Sequence, residues 1–287
     1  MTSYTRDLEK YTYENYSLKI HGKDIRERET ENVNFDKSQI AEFEQVFESL
    51  KGEPKTLRVR NSKEFNIKAL INFKAQGSKG DPKLFKKQIN TNSGNIYLLI
   101  DGSGTMRFDQ RAETCRNLTA NIMKAIEEIP RINLKAYIYG GSFENCDDLC
   151  ISEVNNAKEC EKITADPHDY GSTPTHNALD FIMKKHENDS GKKLIIVLTD
   201  GKPELWNNHN ALSNSISGLE EKLKQETKRA CVELESKEFN LFGVGIGLYD
   251  IPSFDNCFRN EFVNVENASD IKKHLISKMN EFVGMIR

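Results

Sequence analysis

The sequence predicts an α/β protein: an open, doubly wound, mostly parallel sheet flanked by helices over residues 95–287, preceded by a smaller, mainly helical segment over 1–94. Three observations predict it. Apolar runs such as "IYLLI" and "LIIVL" are too continuous for strands with one wet face, and mark strands buried on both sides. They alternate with amphipathic stretches of helical period, which implies right-handed crossovers between parallel strands. Two of the strands end in Asp-Gly, at the carboxyl edge where such sheets bind ligands.

Residues 1–35 are polar and weakly periodic. "DKSQIAEFEQVFESLKG" predicts a helix, with Asp36 or Ser38 as cap, Ile40, Phe43, Phe47 and Leu50 as an apolar stripe, and Gly52 as terminator. "KEFNIKALINFKA" reads as a second, shorter helix, "QGSKGDPKLF" as a glycine-rich break, and "NTNSGN" as the boundary of the next domain. Strands follow at 95–101, 134–140, 193–200, 240–247 and 262–266, with helices near 109–129, 174–188, 214–238 and 269–284. The first of these helices places Cys115, Leu118, Ile122, Ala125, Ile126 and Ile129 on one face.

Composition narrows the functional classes. The longest apolar runs fall well short of the ~20 residues a membrane helix needs. "MTSYTRDLEKYTYENYS" has no apolar core behind its basic residue, as a signal peptide would, so a cytoplasmic protein is expected. Residues 1–94 carry 18 basic and 14 acidic side chains, a net +4; the remainder carries 23 and 30, a net −7. The stretch 51–90 alone holds 11 basic against 3 acidic residues, yet no nucleic-acid motif accompanies it. Docking on the acidic part of the chain or on an acidic partner is expected instead. Cys146, Cys150 and Cys160 cluster ahead of His168, but C-x3-C-x9-C matches no usual zinc knuckle, and the expectation is a loop with neighbouring thiols.

The chemistry is concentrated in three loops. "LLIDGSGT" and "IVLTDGKP" leave strands through Asp101 and Asp200, and "DYGSTPTHNAL" opens a helix between them. If the two strands are neighbours, Asp101, Ser103, Thr105, Thr173 and Asp200 converge at one edge. Oxygen donors without His or Cys suit a hard cation, and Mg2+ with few protein ligands keeps positions for water and for an outside group. Each element alone has a plainer account: Thr173 as a helix cap before Pro174, and Asp200-Gly201 as a turn. Their order and joint placement at strand ends favour the site. His176, Glu204, Trp206 and His209 lie nearby and are expected to be exposed; Trp206, the single tryptophan, would serve as a rim anchor rather than a ligand.

These residues carry a resemblance. "DGSGT", "GSTPT" and "TDG" together resemble the metal-ion-dependent adhesion site of a von Willebrand factor A domain, with Thr105 where the usual D-x-S-x-S motif has serine. The resemblance spans 95–287, some two thirds of the chain. It implies that Ser103 and Thr105 bind the metal directly, that Thr173 binds directly or through water, and that Asp101 and Asp200 act mainly through water. The ion expected is Mg2+, with Mn2+ or Ca2+ as alternatives, and its open position would take a partner's Asp or Glu. "GSTPTHNAL" and the region around "DPKLFKK" are similar to the intracellular prokaryotic branch that includes the cobaltochelatase accessory subunit and the nitric-oxide-reductase activation protein. That similarity implies a AAA+ ATPase of the MoxR or magnesium-chelatase type as partner, and an adaptor rather than an enzyme.

Parts of the sequence are also compatible with two other functions. A strand-end Asp before G-x-G-T is similar to the phosphatase motif D-x-D-G-T, which would make Asp101 a nucleophile; the general acid two residues on would then have to be Ser103, which cannot donate that proton at neutral pH. A serine-hydrolase elbow would need glycine at position 101. A nucleic-acid-associated protein would use the basic stretch 51–90 and show steep salt dependence.

Overall fold

The computed structural model describes residues 30–51, 56–59, 64–65, 71, 74, 85–88, 93–141, 149–165, 173–201, 216–247, 257–258 and 261–286. The helices are α1 (Lys37–Phe47, continued by a 3-10 turn Glu48–Leu50), α2 (Arg111–Ile126), α3 (Thr175–His186), α4 (Ile216–Ser236) and α5 (Ile271–Ile286). The strands are β1 (Thr56–Val59), β2 (Glu64–Phe65), β3 (Phe85–Gln88), β4 (Gly94–Asp101), β5 (Ile132–Gly141), β6 (Leu149–Val154), β7 (Lys192–Thr199), β8 (Phe239–Ile246) and β9 (Phe262–Val265). Among the described residues, no helix is long and apolar enough to cross a membrane.

The main sheet runs β6-β5-β4-β7-β8-β9, parallel throughout except for β6, which pairs antiparallel with β5. β4 is buried along its whole length, and its alternation assigns the two faces. Ile96, Leu98 and Ile100 enter one core with α1, α2 and α5; Tyr97 and Leu99 enter the other with α3 and α4. β7 repeats this, Leu194, Ile196 and Leu198 on the first face and Ile195 and Val197 on the second. Two-sided burial explains the continuous apolar runs, since each strand must satisfy two layers at once. The β4–β7 register sets Ile100 opposite Leu198, so Asp101 and Thr199 emerge side by side at the carboxyl edge, on the face of α3.

The strand and helix expectations for 95–287 hold to within a few residues. β6 is an addition: its apolar residues alternate rather than run on, as suits an antiparallel edge strand. In the N-terminal part, Asp36 caps α1 by accepting from the amides of Ser38 and Gln39 at 2.8 and 3.3 Å. Phe43, Phe47 and Leu50 are fully buried against α2 and α5, each worth about 1.5–3 kcal/mol over an exposed position. Arg116 of α2 ties down the chain ahead of α1 by pairing with Glu31 at 2.5 Å and donating to the Asn32 carbonyl at 3.2 Å.

The helical expectation for "KEFNIKALINFKA" needs correction at its start: Glu64–Phe65 is a strand, and only Ile71 and Lys74 are helical among its described residues. β2 pairs with β3, which also pairs with β1, in a small antiparallel sheet, and pairing partners override a local helical period. The remainder of 51–90 lies outside the described residues.

Candidate functional site

The site is built on the carboxyl ends of the two central strands. Thr199 donates to Asp101 Oδ2 at 2.5 Å and receives the amide of Gly201 at 3.1 Å, which turns the chain after β7. Asp101 Oδ1 accepts the amide of Ser103 at 2.8 Å, while the Gly102 amide extends the ladder to the Tyr139 carbonyl at 2.8 Å. Both oxygens of Asp101 are therefore engaged, and the residue is 1% exposed.

The five expected residues come together. Ser103 Oγ lies 3.1 Å from Thr105 Oγ1, and Thr105 donates to Asp200 Oδ1 at 2.8 Å. Thr173 Oγ1 reaches Asp101 Oδ2 at 3.5 Å. Asp101, Ser103, Thr173 and Asp200 are buried and Thr105 is exposed, so the cluster meets solvent on the Thr105 side. Thr173 is not the side-chain cap of α3. Pro174 takes the cap position, and its carbonyl accepts the amides of Asn177 and Ala178, which leaves the Thr173 hydroxyl for the carboxylate. α3 begins beside the acids and so presents the positive end of its dipole to them.

Burial, then the charge of Asp200, pushes the Asp101 carboxyl up to about 7, against the hydrogen bonds from Thr199 and Ser103. Burial together with the two carboxylates likewise pushes the Cys115 thiol up to about 12. Two acids crowded out of water at one edge call for a cation. A donor set of carboxylates and hydroxyls with one solvent-facing side fits a hard divalent ion such as Mg2+. Among the described residues, no three His, Cys, Asp or Glu side chains gather as a softer alternative. The Cys160 thiol is buried against Met123 Sδ at 3.7 Å and is pushed up to about 12, which disfavours the thiolate zinc requires. Cys146 and His168 lie outside the described residues, as do Glu204, Trp206 and His209.

His176 corrects an expectation of exposure. It is 3% exposed in the first turn of α3, both ring nitrogens lack partners, and burial lowers it to about 4, so the ring is a neutral packing group. Two site residues were not anticipated. Thr199 could have been found from parity, because its position two residues beyond Val197 points it to the Asp101 face. Arg111 donates to Asp200 Oδ2 at 2.6 Å. The signal there was a cation as the first residue of a helix, where the dipole disfavours it unless an acid is near.

Comparison with known proteins agrees with this architecture. The family profile described as von Willebrand factor type A domain matches residues 95–273, more than half of the chain. No curated protein matches the chain by sequence. Among solved structures, the pilus adhesin SpaC from Lactobacillus rhamnosus GG in its open conformation is similar at 18% identity and a TM-score of 0.49, over 69% of this chain and 31% of that one. The vWF domain of the type V pili tip protein Mfa5 from Porphyromonas gingivalis aligns at 9% identity and 0.48, over 69% of this chain and 97% of that one. Proximal thread matrix protein 1 from the mussel byssus aligns at 11% identity and 0.47, over 67% and 46%. The chain thus spans less than half the length of the first and third of these proteins.

Proposed function

The chain belongs to the von Willebrand factor type A domain family, and on that premise we propose that it is a non-enzymatic docking module whose divalent cation, held by Asp101, Ser103, Thr105, Thr173 and Asp200, receives an Asp or Glu of a partner protein. Domains of this family are protein–protein interaction modules. The observation that carries the reading is the convergence of two buried carboxylates and three hydroxyls from three loops at one partly open edge.

When bound, Mg2+ supplies an electrophilic coordination position, and hydroxyl ligands leave it much of its charge. The protein does the rest. Ser103 and Thr105 would hold the ion through neutral hydroxyl oxygens, Thr173 would add a third, and Asp101 and Asp200 would balance charge and orient water. Thr199 fixes the Asp101 carboxylate by its 2.5 Å bond. Position 103, where the phosphatase motif D-x-D-G-T places its general acid, is a serine whose amide donates to Asp101 Oδ1 at 2.8 Å, which weighs against the phosphatase alternative.

The partner proposed is a AAA+ ATPase of the MoxR or magnesium-chelatase type, in the cytoplasm, with this protein linking motor to client in metal insertion or cofactor maturation. It rests on the similarity of "GSTPTHNAL" and the "DPKLFKK" region to that branch of the family. The partner's acid would contribute about 2 kcal/mol or more to binding. Pull-down of such an ATPase with wild type, with Thr173→Ala and with chelator tests it. Capture is expected with wild type alone; equal capture in all three would make any metal merely structural.

A further inference from the structure

Helix α2 opens on a guanidinium in an unusual setting. Arg111 is its first residue, Gln110 before it is left-handed at φ 57, and no side chain caps the helix. Asp109 is left-handed too, at φ 51, a conformation unfavourable for residues with a Cβ. That backbone brings Asp109 to Arg111 Nη2 at 3.2 Å while Nη1 donates to Asp200 at 2.6 Å. On the far side, a Cβ on Gly247 would lie 3.0 Å from Nη2, so a glycine at φ 66 leaves the space the guanidinium fills. The Arg111 side chain is 16% exposed, and that of Asp200 is fully buried.

We propose that Arg111 is the built-in counter-cation of this site, weakening its hold on the metal and strengthening its hold on an anionic ligand. The inference rests on the metal-docking reading above. Without a divalent ion, Arg111 offsets one of the two buried carboxylates. With the ion present, the two buried carboxylates cancel it, the hydroxyls add no charge, and Arg111 remains as one surplus positive charge inside the site, because its other partner, Asp109, has a side chain 80% exposed and is screened by water. A monocarboxylate then brings the site to neutrality, whereas without Arg111 it would leave a net negative charge out of water.

Mn2+ titration by calorimetry, with water-proton relaxation to follow acetate binding to the Mn2+-loaded protein, tests the proposal on wild type, R111Q, R111M and R111K. R111Q is expected to bind Mn2+ about tenfold tighter, the factor equivalent to one pKa unit of charge interaction, and acetate several-fold weaker. R111K, which keeps the charge and loses the fork, should stay near wild type in metal affinity. R111M retains the aliphatic stem and carries the test if R111Q does not fold. Wild type that binds Mn2+, with unchanged or weaker metal affinity in R111Q and R111M, overturns this inference alone. Equal tightening in R111K overturns it as well, because charge would not be the cause. Equal or tighter acetate binding in R111Q has the same consequence. Absence of Mn2+ binding by wild type overturns the metal-docking reading and this inference together.

Discussion

At its C-terminal end, α3 closes a polar cluster in which donors and acceptors are matched; at its N-terminal end it faces one in which acids outnumber their cation. The first lies toward the amino ends of the strands. Tyr97 donates to Asp189 at 2.7 Å, His186 bridges Asp189 at 2.8 Å and the Tyr137 hydroxyl at 2.7 Å, and the Tyr97 and His186 rings stack with centroids 4.3 Å apart. Burial works against the charge of Asp189, yet the hydrogen bonds from Tyr97 and His186 outweigh it and hold that acid below its usual value. At the other end, Asp101 is pushed up to about 7 by burial and by Asp200, with Arg111 as the neighbouring cation. The same face of the same strands thus carries one cluster that is complete and one that is short of positive charge. Completeness marks structure, and the shortfall marks a place for a ligand.

The sharpest way to break the comparison is one substitution at each end. Asp101→Asn is expected to weaken Mg2+ binding by about hundredfold or more, roughly 3 kcal/mol, while the metal-free protein at pH 8 unfolds at an unchanged or higher urea midpoint. His186→Ala should do the reverse: a stability loss of about 2–3 kcal/mol by urea unfolding, with metal affinity unaltered. Metal affinity that follows stability in both variants would erase the distinction.

Titration separates the ends by sign. The Asp101 carboxyl is raised from 3.8 to about 7 in the fold, so its contribution to metal-free stability is fully present below its ordinary value and lost as pH rises toward 7. Burial, only partly opposed by Asp189, lowers His186 from its ordinary 6.5, so its contribution is present above 6.5 and lost on acidification. Asp101→Asn should remove the alkaline-going decline measured by urea unfolding between pH 5 and 8, and leave the acid-going one. Protons compete with metal at Asp101, so Mn2+ affinity should fall about tenfold from pH 8 to pH 6. The smallest effect expected is that of Thr105→Ser, which restores the usual hydroxyl of the motif and should shift Mn2+ affinity by no more than about threefold in the same titration.

The closed end was invisible in the sequence and the open end was not, for a physical reason. Tyr97, Tyr137 and His186 read as strand and helix residues of an apolar face, because pairing among polar tips depends on tertiary geometry. Asp101, Ser103, Thr105, Thr173 and Asp200 sit where strand period ends and glycine begins, and a carboxylate at the end of a buried strand has no role in packing. Period also exposed the parallel strands, most clearly β4 and β7, where two-sided burial leaves unbroken apolar runs. β6 and β2, the latter at the start of "KEFNIKALINFKA", escaped because short edge strands are fixed by their partners. Arg111 left one local signal, a cation opening a helix, but its aim at Asp200 depends on two left-handed residues before it, which tertiary structure sets.

Calorimetric titration of Mg2+ into wild type and into the Asp101→Ala, Ser103→Ala double variant tests the central claim most directly, with circular dichroism of both proteins as the control for folding. The account predicts one saturable site in wild type and none in the double variant, with superimposable spectra. Unchanged Mg2+ affinity in the double variant would contradict it and move any metal away from this edge of the sheet.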